Sequence, residues 1–243
     1  MKGVVLGIAP QAVLVDLTHE VPPHDVRAGA FLLRSAASYF PPGTIHVAIV
    51  DPGVGTDRRA LLVETRRAFF LAPDNGLVSL AVPARDVVRV LDVSRSPYRR
   101  ATVSRTFHGR DVFAPVAGRL AAGVPPARLG HATRSMLRLR VPPVRGVGRQ
   151  LTGQVLWRDR FGNLITNVTR SDLAAAGAFR GRGVSVTIND HALRLRGTYA
   201  AVPAGRAVAL VNSSDLLEIA VNRGAAAAAL GAGCGTRVTI RPR

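Results

Sequence analysis

The sequence predicts an α/β protein in two parts: an N-terminal α/β domain with a largely parallel sheet, and a smaller C-terminal domain that resembles an antiparallel β-barrel. In residues 1–141, apolar strand-like runs alternate with segments of helical spacing, as is typical of α/β domains. Residues 142–150 begin with two prolines and contain two glycines, which is the composition of a linker. In residues 151–243 the apolar runs are short and β-prone, which favours a small barrel or sandwich.

In the first domain, turn residues separate the predicted elements. Asp25 has the position of a helix N-cap, and the helix that follows must end before Pro41-Pro42-Gly43. Val4–Ile8 is either a short helix or the end of a strand. A second helix is predicted at Val112–Leu120, and the predicted strands are Val13–Leu17, Val47–Val50, Leu61–Val63 and Ala68–Leu71. Leu77–Val82 and Val87–Val93 are predicted as further short elements of unassigned type.

In the second domain, most of the short runs have the composition of strands. A short helix is also predicted at Ala225–Leu230, before the last strand. The predicted strands are Thr152–Trp157, Gly183–Ile188, Ala192–Leu195, Ala207–Val211, Leu217–Val221 and Thr236–Ile240.

Composition narrows the class of protein. The 243 residues are 47% hydrophobic and 20% charged, as in globular proteins, and suit one large or two modest domains. The single cysteine, Cys234, excludes an internal disulfide framework and fits a reducing compartment, so we expect a cytoplasmic protein. No apolar run approaches the roughly 18–20 residues of a membrane span, so no membrane partner is expected.

The formal net charge of +18 raises the question of nucleic-acid binding. Lys2 is the only lysine, however, and arginine is scattered through every segment. The densest basic stretch, Arg134 to Arg149, has no aromatic side chains on which bases could stack. We therefore expect non-specific attraction to polyanions at low salt and no specific nucleic-acid partner.

The stretch from His46 to Thr65 carries the most chemical information. Its unalternating apolar run Val47–Val50 predicts a strand covered on both faces, and Asp51 follows at the carboxyl end, where α/β sheets keep ligand crevices. Arg58 stands seven positions later, across a compact turn, so its guanidinium can fold back onto Asp51 and the pair can hold water. The alternative is a strand–turn–strand corner with a surface ion pair.

His108 precedes the predicted helix Val112–Leu120. The positive end of a helix dipole lowers the pKa of an imidazole and favours its neutral form, which is able to act as a base. The alternative is a histidine that only caps the helix or fills the core.

Several common catalytic motifs are missing from the sequence. The glycines around Val54 form neither a dinucleotide fingerprint nor a P-loop. The six histidines show no metal-ligand spacing, and no Gly-x-Ser-x-Gly motif occurs. Metal-dependent hydrolysis and acyl transfer therefore have no support, and no metal site is expected.

Seven separated blocks nevertheless resemble one family, the S-adenosyl-L-methionine (SAM) hydrolases, also called SAM hydroxide adenosyltransferases, which are related to the fluorinase and chlorinase. The blocks occur in the family's order over nearly the whole chain: MKGVVL, VDLTHEVPPHDVRAGAFLL, PPGTIHVAIVDPGVGTDRR, APDNGLVSL, TFHGRDVFAPVAGRLAAG, DRFGNLITNV and NSSDLLEIAVNRGAAAAALG.

The resemblance implies an activity: water or hydroxide attacks the 5′ carbon of SAM and releases adenosine and methionine, with no metal or organic cofactor. It implies that Asp51, Arg58 and His108 hold the attacking water. The halogenating relatives carry a residue pair ending in serine in place of His108-Gly109, so the intact set indicates water and not halide.

The resemblance also implies that the second domain binds the adenosine part of SAM. Phe161 would contact a ring and Asn163 would form hydrogen bonds, although Phe-Gly-Asn is also a good hairpin turn. The region of Ser213 and Val221 would surround the base and the methionine tail, with Ser213-Ser214 alternatively a simple loop or cap. Asp159 and Glu218 are further candidates.

One departure from the family pattern leads to an alternative expectation. Family members usually begin with a further strand and a Thr-Asp-Phe-Gly-like turn, whose aspartate binds the ribose, before the Met-Lys-Gly found here at residue 1. A chain without that strand is expected to bind SAM weakly, and the alternatives are a non-catalytic SAM- or adenosine-binding protein or, less expected, a SAM-dependent halogenase. The resemblance finally implies a homotrimer with its sites between subunits.

Overall fold

The computed structural model describes residues 1–147, 149–179 and 183–243. Within these ranges the chain forms two compact units, Met1–Leu139 and Arg140–Arg243.

The first unit is built on one mixed sheet with helices on both faces. Among the described residues its helices are α1 (Lys2–Leu6), α2 (Val26–Ala37) and α3 (Ala114–Ala121), and its strands are β1 (Thr44–Val47), β2 (Ala60–Thr65), β3 (Ala68–Pro73), β4 (Val87–Asp92) and β5 (His131–Thr133). The strand order is β1-β3-β2-β4-β5.

The α/β class of this unit is confirmed, but its sheet is mixed instead of largely parallel. Within this sheet, β1 and β3 are the one parallel pair among its described strands, and the other three neighbouring pairs are antiparallel. The reason is the length of the connections. β2 ends at Thr65 and β3 begins at Ala68, which leaves a tight hairpin and no room for the crossover that parallel neighbours need.

Alternate residues of the strands enter the two halves of the core. Leu62 and Leu71 belong to a buried cluster with Phe113 and residues of α3, whereas Leu61 and Phe70 belong to the cluster that includes residues of α2. Asp25 caps α2 as predicted, because its Oδ1 accepts a hydrogen bond of 2.8 Å from the backbone N–H of Ala28.

Two predicted strands differ from the structure. Val13–Leu17 forms no strand: the described residues provide no strand that pairs with it, and Val13 is 88% exposed. The run Val47–Val50 is not a covered strand either. β1 ends at Val47 and lies at the edge of the sheet, so Val47 is partly exposed.

The second unit is a closed barrel, which confirms the predicted class of this part of the chain. Seven of its described strands form a ring in the order β7-β8-β12-β11-β10-β9-β13, with β13 pairing back onto β7 and β6 attached beside β7. The strands are β6 (Arg145–Val147), β7 (Gln150–Arg158), β8 (Leu164–Thr169), β9 (Val184–Ile188), β10 (His191–Arg196), β11 (Ala207–Val211), β12 (Leu216–Val221) and β13 (Arg237–Pro242). The described helices are α4 (Arg170–Ala175) and α5 (Ala226–Ala229).

The interior of the barrel is aliphatic. Leu164, Ile188, Leu217, Ile219 and Val238 are among its fully buried members. Nothing in the described part of the chain is a helix capable of spanning a membrane.

Candidate active site

Two successive tight turns bring Arg58 back to Asp51. The backbone N–H of Val54 donates to the carbonyl of Asp51 at 3.2 Å, and Thr56 Oγ1 donates to the carbonyl of Gly53 at 2.7 Å. Between them Gly55 has a φ of +81°, the left-handed region that glycine occupies without strain. The turn thus brings the chain back to the sheet at Arg58, and Arg59 and the first residue of β2 follow directly.

Arg58 and Asp51 form a bidentate ion pair. Arg58 Nε donates to Asp51 Oδ1 at 2.8 Å, and Nη2 donates to Oδ2. The two side chains are only 10% and 7% exposed, so this is not a surface ion pair. The guanidinium also lies 5.6 Å from the centre of the Phe113 ring, which holds it from the apolar side.

The same guanidinium contacts His108. Arg58 Nη2 and His108 Nδ1 are 2.9 Å apart. Because arginine stays protonated and can only donate, Nδ1 must accept, and the imidazole is neutral with its proton on Nε2. The structure therefore brings together the three residues that the sequence assigned to the water site.

The electrostatics of the site favour the neutral form of His108. Burial lowers the pKa of His108 below its ordinary value of 6.5, and the charge of Arg58 lowers it further, while Asp51 and Asp111 act in the opposite direction. The sequence predicted this direction from a helix dipole. The structure places His108 immediately before a π-helical turn, Gly109–Phe113, that leads into α3, and burial is the main cause of the shift.

Asp111 supports the turn that carries His108. Its carboxylate is fully buried and accepts a hydrogen bond of 2.8 Å from the backbone N–H of Ser104 and bonds of 2.7 and 2.9 Å from Arg110. These bonds, with that of Arg110 the strongest, lower the pKa of Asp111 to about 2. Its side chain thus joins the π-helical turn to the loop before it.

A cavity of about 540 Å³ lies beside Arg58 and His108 in the first unit. Its charged lining is mainly basic. The residues that line it are Thr56, Asp57, Arg58, Arg59, Ala60, Asp92, Ser94, Arg95, Arg99, Val103, His108, Val112 and His131. Such a cavity gives small polar species access to the cluster.

In the second unit, three candidate residues lie in a turn that the carboxylate of Asp159 stabilises. Its Oδ1 accepts from the backbone N–H groups of Phe161 and Asn163 at 2.9 and 2.8 Å, and its Oδ2 accepts from Asn163 Nδ2 at 3.0 Å. Asn163 is buried, whereas the Phe161 side chain is 70% exposed. Asp159, Phe161 and Asn163, which the resemblance assigned to binding, thus lie in the hairpin turn that the sequence also predicted.

Glu218 lies buried at the centre of a second polar group. Tyr199 donates its hydroxyl to Oε1 at 2.7 Å, and Asn212 Nδ2 donates to Oε2 at 3.2 Å. Burial raises the pKa of Glu218, while the hydrogen bonds from Tyr199 and Asn212 act in the opposite direction and the charge of Asp159 adds a smaller raising effect. Tyr199 and Asn212 were not among the residues singled out from the sequence.

The remaining two candidates differ in environment. Ser213 is exposed, in a loop where Asn212 Oδ1 accepts from the backbone N–H groups of Ser214 and Leu216 at 3.0 and 3.1 Å. Val221 packs into the barrel core, so its side chain is 7% exposed. An asparagine directly before Ser-Ser-Asp was the available sign of an Asx-type turn here.

No arrangement of three or more His, Cys, Asp or Glu side chains suited to a metal ion occurs in the residues that the structure describes.

Comparison with protein-family models gives two matches. Residues 1–130 match the SAM hydroxide adenosyltransferase N-terminal domain, and residues 153–239 match the C-terminal domain of the same family.

Named relatives and a solved structure agree with these matches. A protein named (R)-S-adenosyl-L-methionine hydrolase from Thermus thermophilus is 41% identical over 95% of this chain and 89% of its own length. One of the same name from Salinispora tropica is 40% identical over 98% of this chain and 90% of its own. The crystal structure of an uncharacterized conserved protein from Thermotoga maritima superposes with a TM-score of 0.90 at 32% identity, covering 99% of this chain and 93% of that one. Fluorinases match at lower identity, 29% for that of an Actinoplanes species over 72% of this chain and 68% of its own length.

Proposed function

The chain belongs to the SAM hydroxide adenosyltransferase family, and we propose that it hydrolyses S-adenosyl-L-methionine to adenosine and L-methionine. The observation that supports this most is the buried cluster in which one guanidinium contacts both Asp51 and His108. A family match alone would not separate hydrolysis from halogenation. The cluster favours hydrolysis, because a carboxylate repels halide and can accept a proton from water.

The reaction needs a nucleophile but little activation of the leaving group. The oxygen of water forms a bond to the 5′ carbon, the bond from that carbon to sulfur breaks, and its electron pair stays on sulfur as neutral methionine leaves. One proton must leave the attacking water. Charge is dispersed in the transition state, so a site that excludes bulk water assists the reaction.

We assign a role to each member of the cluster. Arg58 holds Asp51 and His108 on one guanidinium and stabilises developing hydroxide. The lone pair of His108 Nδ1 is occupied by Arg58, and Nε2 carries the proton, so His108 orients the water as a donor. The proton of the water therefore goes to the carboxylate of Asp51, which retains free lone pairs on both oxygens.

The second unit would hold the rest of the substrate. Exposed Phe161 offers a ring face to adenine. Asn163 Nδ2 is engaged by Asp159, which leaves the amide oxygen to accept from an amino group of the base. Ser213, Val221, Asp159 and Glu218 complete the proposed binding set. No cofactor is required for this reaction.

Product analysis tests the proposal. Purified chain with SAM should yield adenosine and methionine in equal amounts by chromatography, and Asp51→Ala should remove the activity. Binding of SAM without release of methionine would instead identify a non-catalytic binding protein. A halogenated adenosine on addition of chloride or fluoride would identify a halogenase.

The family resemblance also leads us to propose a homotrimer that works in the cytoplasm. Light scattering during size-exclusion chromatography should then give a mass of three times 25.7 kDa. A mass of one or two chains would contradict the trimer without affecting the proposed chemistry.

A further inference from the structure

The turn that follows β3 lies between the two backbone segments that carry Asp51 and Arg58. β3 is the neighbour of both β1 and β2, parallel to the first and antiparallel to the second. The carboxyl end of β3 therefore lies beside the end of β1, from which the chain continues to Asp51, and beside the start of β2, which follows Arg58 and Arg59. Asp74 and Asn75 are the first residues of this turn.

Asn75 holds the segment on the Asp51 side. Its Nδ2 donates a hydrogen bond of 2.8 Å to the carbonyl oxygen of Val50. That oxygen belongs to the peptide unit that joins Val50 to Asp51, so the bond fixes the backbone from which the Asp51 carboxylate projects.

Asp74 holds the segment on the Arg58 side. Its backbone N–H donates to the carbonyl of Arg59 at 2.9 Å, and its Oδ2 accepts from Arg59 Nε and Nη2 at 3.0 and 2.6 Å. The same carbonyl of Arg59 lies 3.4 Å from Arg58 Nη1, which donates to it. Asp74 thereby fixes an acceptor of the guanidinium that binds Asp51 and His108.

The turn is itself held in place. Asn75 Oδ1 accepts from the backbone N–H of Leu77 at 3.2 Å, and Asp74 Oδ1 accepts from that of Leu137 at 2.7 Å. Gly76 has a φ of +91°, and a Cβ at this position would lie 2.9 Å from Leu139 Cγ. Asp74 is only 7% exposed, so its carboxylate end of the bond to Arg59 is shielded from water.

We propose that Asp74 and Asn75 are positioning residues that hold the backbones carrying Asp51 and Arg58 in register for the attack on substrate. The inference rests on the proposed function, since Asp74 and Asn75 would affect the reaction only by positioning Asp51 and Arg58. A bidentate pair that must also orient water tolerates displacements of only about 0.5 Å. Neither residue touches the water; both act through the backbone.

Asn75→Asp tests the inference with the smallest change. The variant keeps an oxygen to accept from Leu77 but replaces the donor to Val50 by a carboxylate oxygen. We expect kcat to fall roughly 10- to 100-fold, as small misplacements at a reacting centre do, with KM for SAM within about twofold. The matched control is Asn189→Asp, because Asn189 Nδ2 makes the same kind of bond, 2.8 Å to the carbonyl of Leu230 in the barrel. The control should keep wild-type kcat.

A double-mutant cycle with Asp51→Asn separates this inference from the proposed function. If Asn75 acts through Asp51, adding Asn75→Asp should lower the residual single-turnover rate of Asp51→Asn by less than about twofold. A strongly impaired Asp51→Asn beside a fully active Asn75→Asp would overturn the positioning role alone. A fully active Asp51→Asn would overturn the proposed function and the inference with it. If circular dichroism shows that Asn75→Asp does not fold, Asp74→Asn is used in its place. We again expect a lower kcat with KM for SAM nearly unchanged. Wild-type kcat in Asp74→Asn would overturn the inference.

Discussion

Arg58 is the side chain on which the proposed chemistry depends most. Its Nε and Nη2 reach the two oxygens of Asp51, and Nη2 also reaches His108 Nδ1. The planar fork of a guanidinium allows these contacts together, whereas an ammonium is a point charge on a flexible stem. The identity of the residue matters here, beyond its charge.

Arg58→Lys should therefore lower kcat while the chain stays folded. A lysine cannot bind both carboxylate oxygens and the imidazole at once, so we expect a loss of about 100-fold, the scale of removing one preorganised donor. Steady-state kinetics with SAM measure this. Arg170→Lys is the control, since Arg170 forms an exposed pair with Asp215 in the second unit, and its kcat should stay within about twofold. Equal kcat in the two variants would contradict the role of Arg58.

The state of His108 predicts the acidic limb of the pH profile. The pKa of His108 lies below its ordinary value of 6.5, mainly because of burial, so the neutral form persists below that pH. Protonation would put a proton on Nδ1 and expel Arg58. We expect kcat/KM to be level from neutral pH down to about 6.5 and to fall at lower pH, through the lowered pKa. His108→Asn should lack this limb, and a limb centred above 6.5 in wild type would contradict the assignment.

At this scale the sequence predicted the pair but not all of its neighbours. The seven-residue spacing across a glycine-rich turn was enough to predict contact between Asp51 and Arg58. His108 lies 50 positions further on, and only the family resemblance joined it to them. The bonds from Asn75 and Asp74 depend on which strands are neighbours, and no local pattern in the sequence contains that information.

Among the elements, the turn between Asp51 and Arg58 couples the ion pair to the loop before His108. Gly55 has a left-handed backbone, and a Cβ there would lie 2.4 Å from the carbonyl oxygen of Arg105. Arg105 is three residues before His108, so the close approach of the two backbones fixes the distance between the turn and the histidine.

Gly55→Ala should consequently reduce both stability and activity. Gly43→Ala is the matched control: its φ of +84° is similar to that of Gly55, but its Cβ would meet nothing within 4 Å. We expect the control to lose about 1–2 kcal/mol of unfolding free energy from backbone strain alone, with kcat unchanged. Gly55→Ala should lose more and should lower kcat, measured by urea denaturation and steady-state kinetics. Identical behaviour of the two variants would show that the contact with Arg105 is unimportant.

Elements were predicted well where local pattern decides them. Asp25 marked the start of α2, and the alternating runs marked most barrel strands. β8 was missed, because its sequence follows directly on a turn motif and carries polar Thr166 and Asn167 inside the strand. Val13–Leu17 was predicted as a strand from its apolar residues, yet a strand also requires a neighbour to receive its hydrogen bonds.

At the scale of the whole molecule, the positive charge is spread over both units, whereas each proposed site belongs to one unit. The net charge of +18 comes from arginines spread over both units, and two partly buried ones are paired with carboxylates, Arg58 with Asp51 and Arg59 with Asp74. The proposed water site lies in the first unit and the proposed adenosine site in the barrel.

We expect the excess charge to produce only non-specific binding to DNA. Affinity should fall steeply with salt, in proportion to the number of phosphates contacted, and should not depend on sequence. Fluorescence anisotropy with two unrelated duplexes over a range of salt concentrations measures this. A clear sequence preference at physiological salt would contradict the expectation.

In the proposed reaction, water held by Asp51, Arg58 and His108 attacks the 5′ carbon of SAM. The most direct test is turnover in heavy-oxygen water, followed by mass spectrometry of both products. We expect one heavy oxygen in the 5′ hydroxyl of adenosine, none in methionine, and no product from Asp51→Ala. Unlabelled adenosine, or labelled adenosine formed equally well by Asp51→Ala, would contradict it.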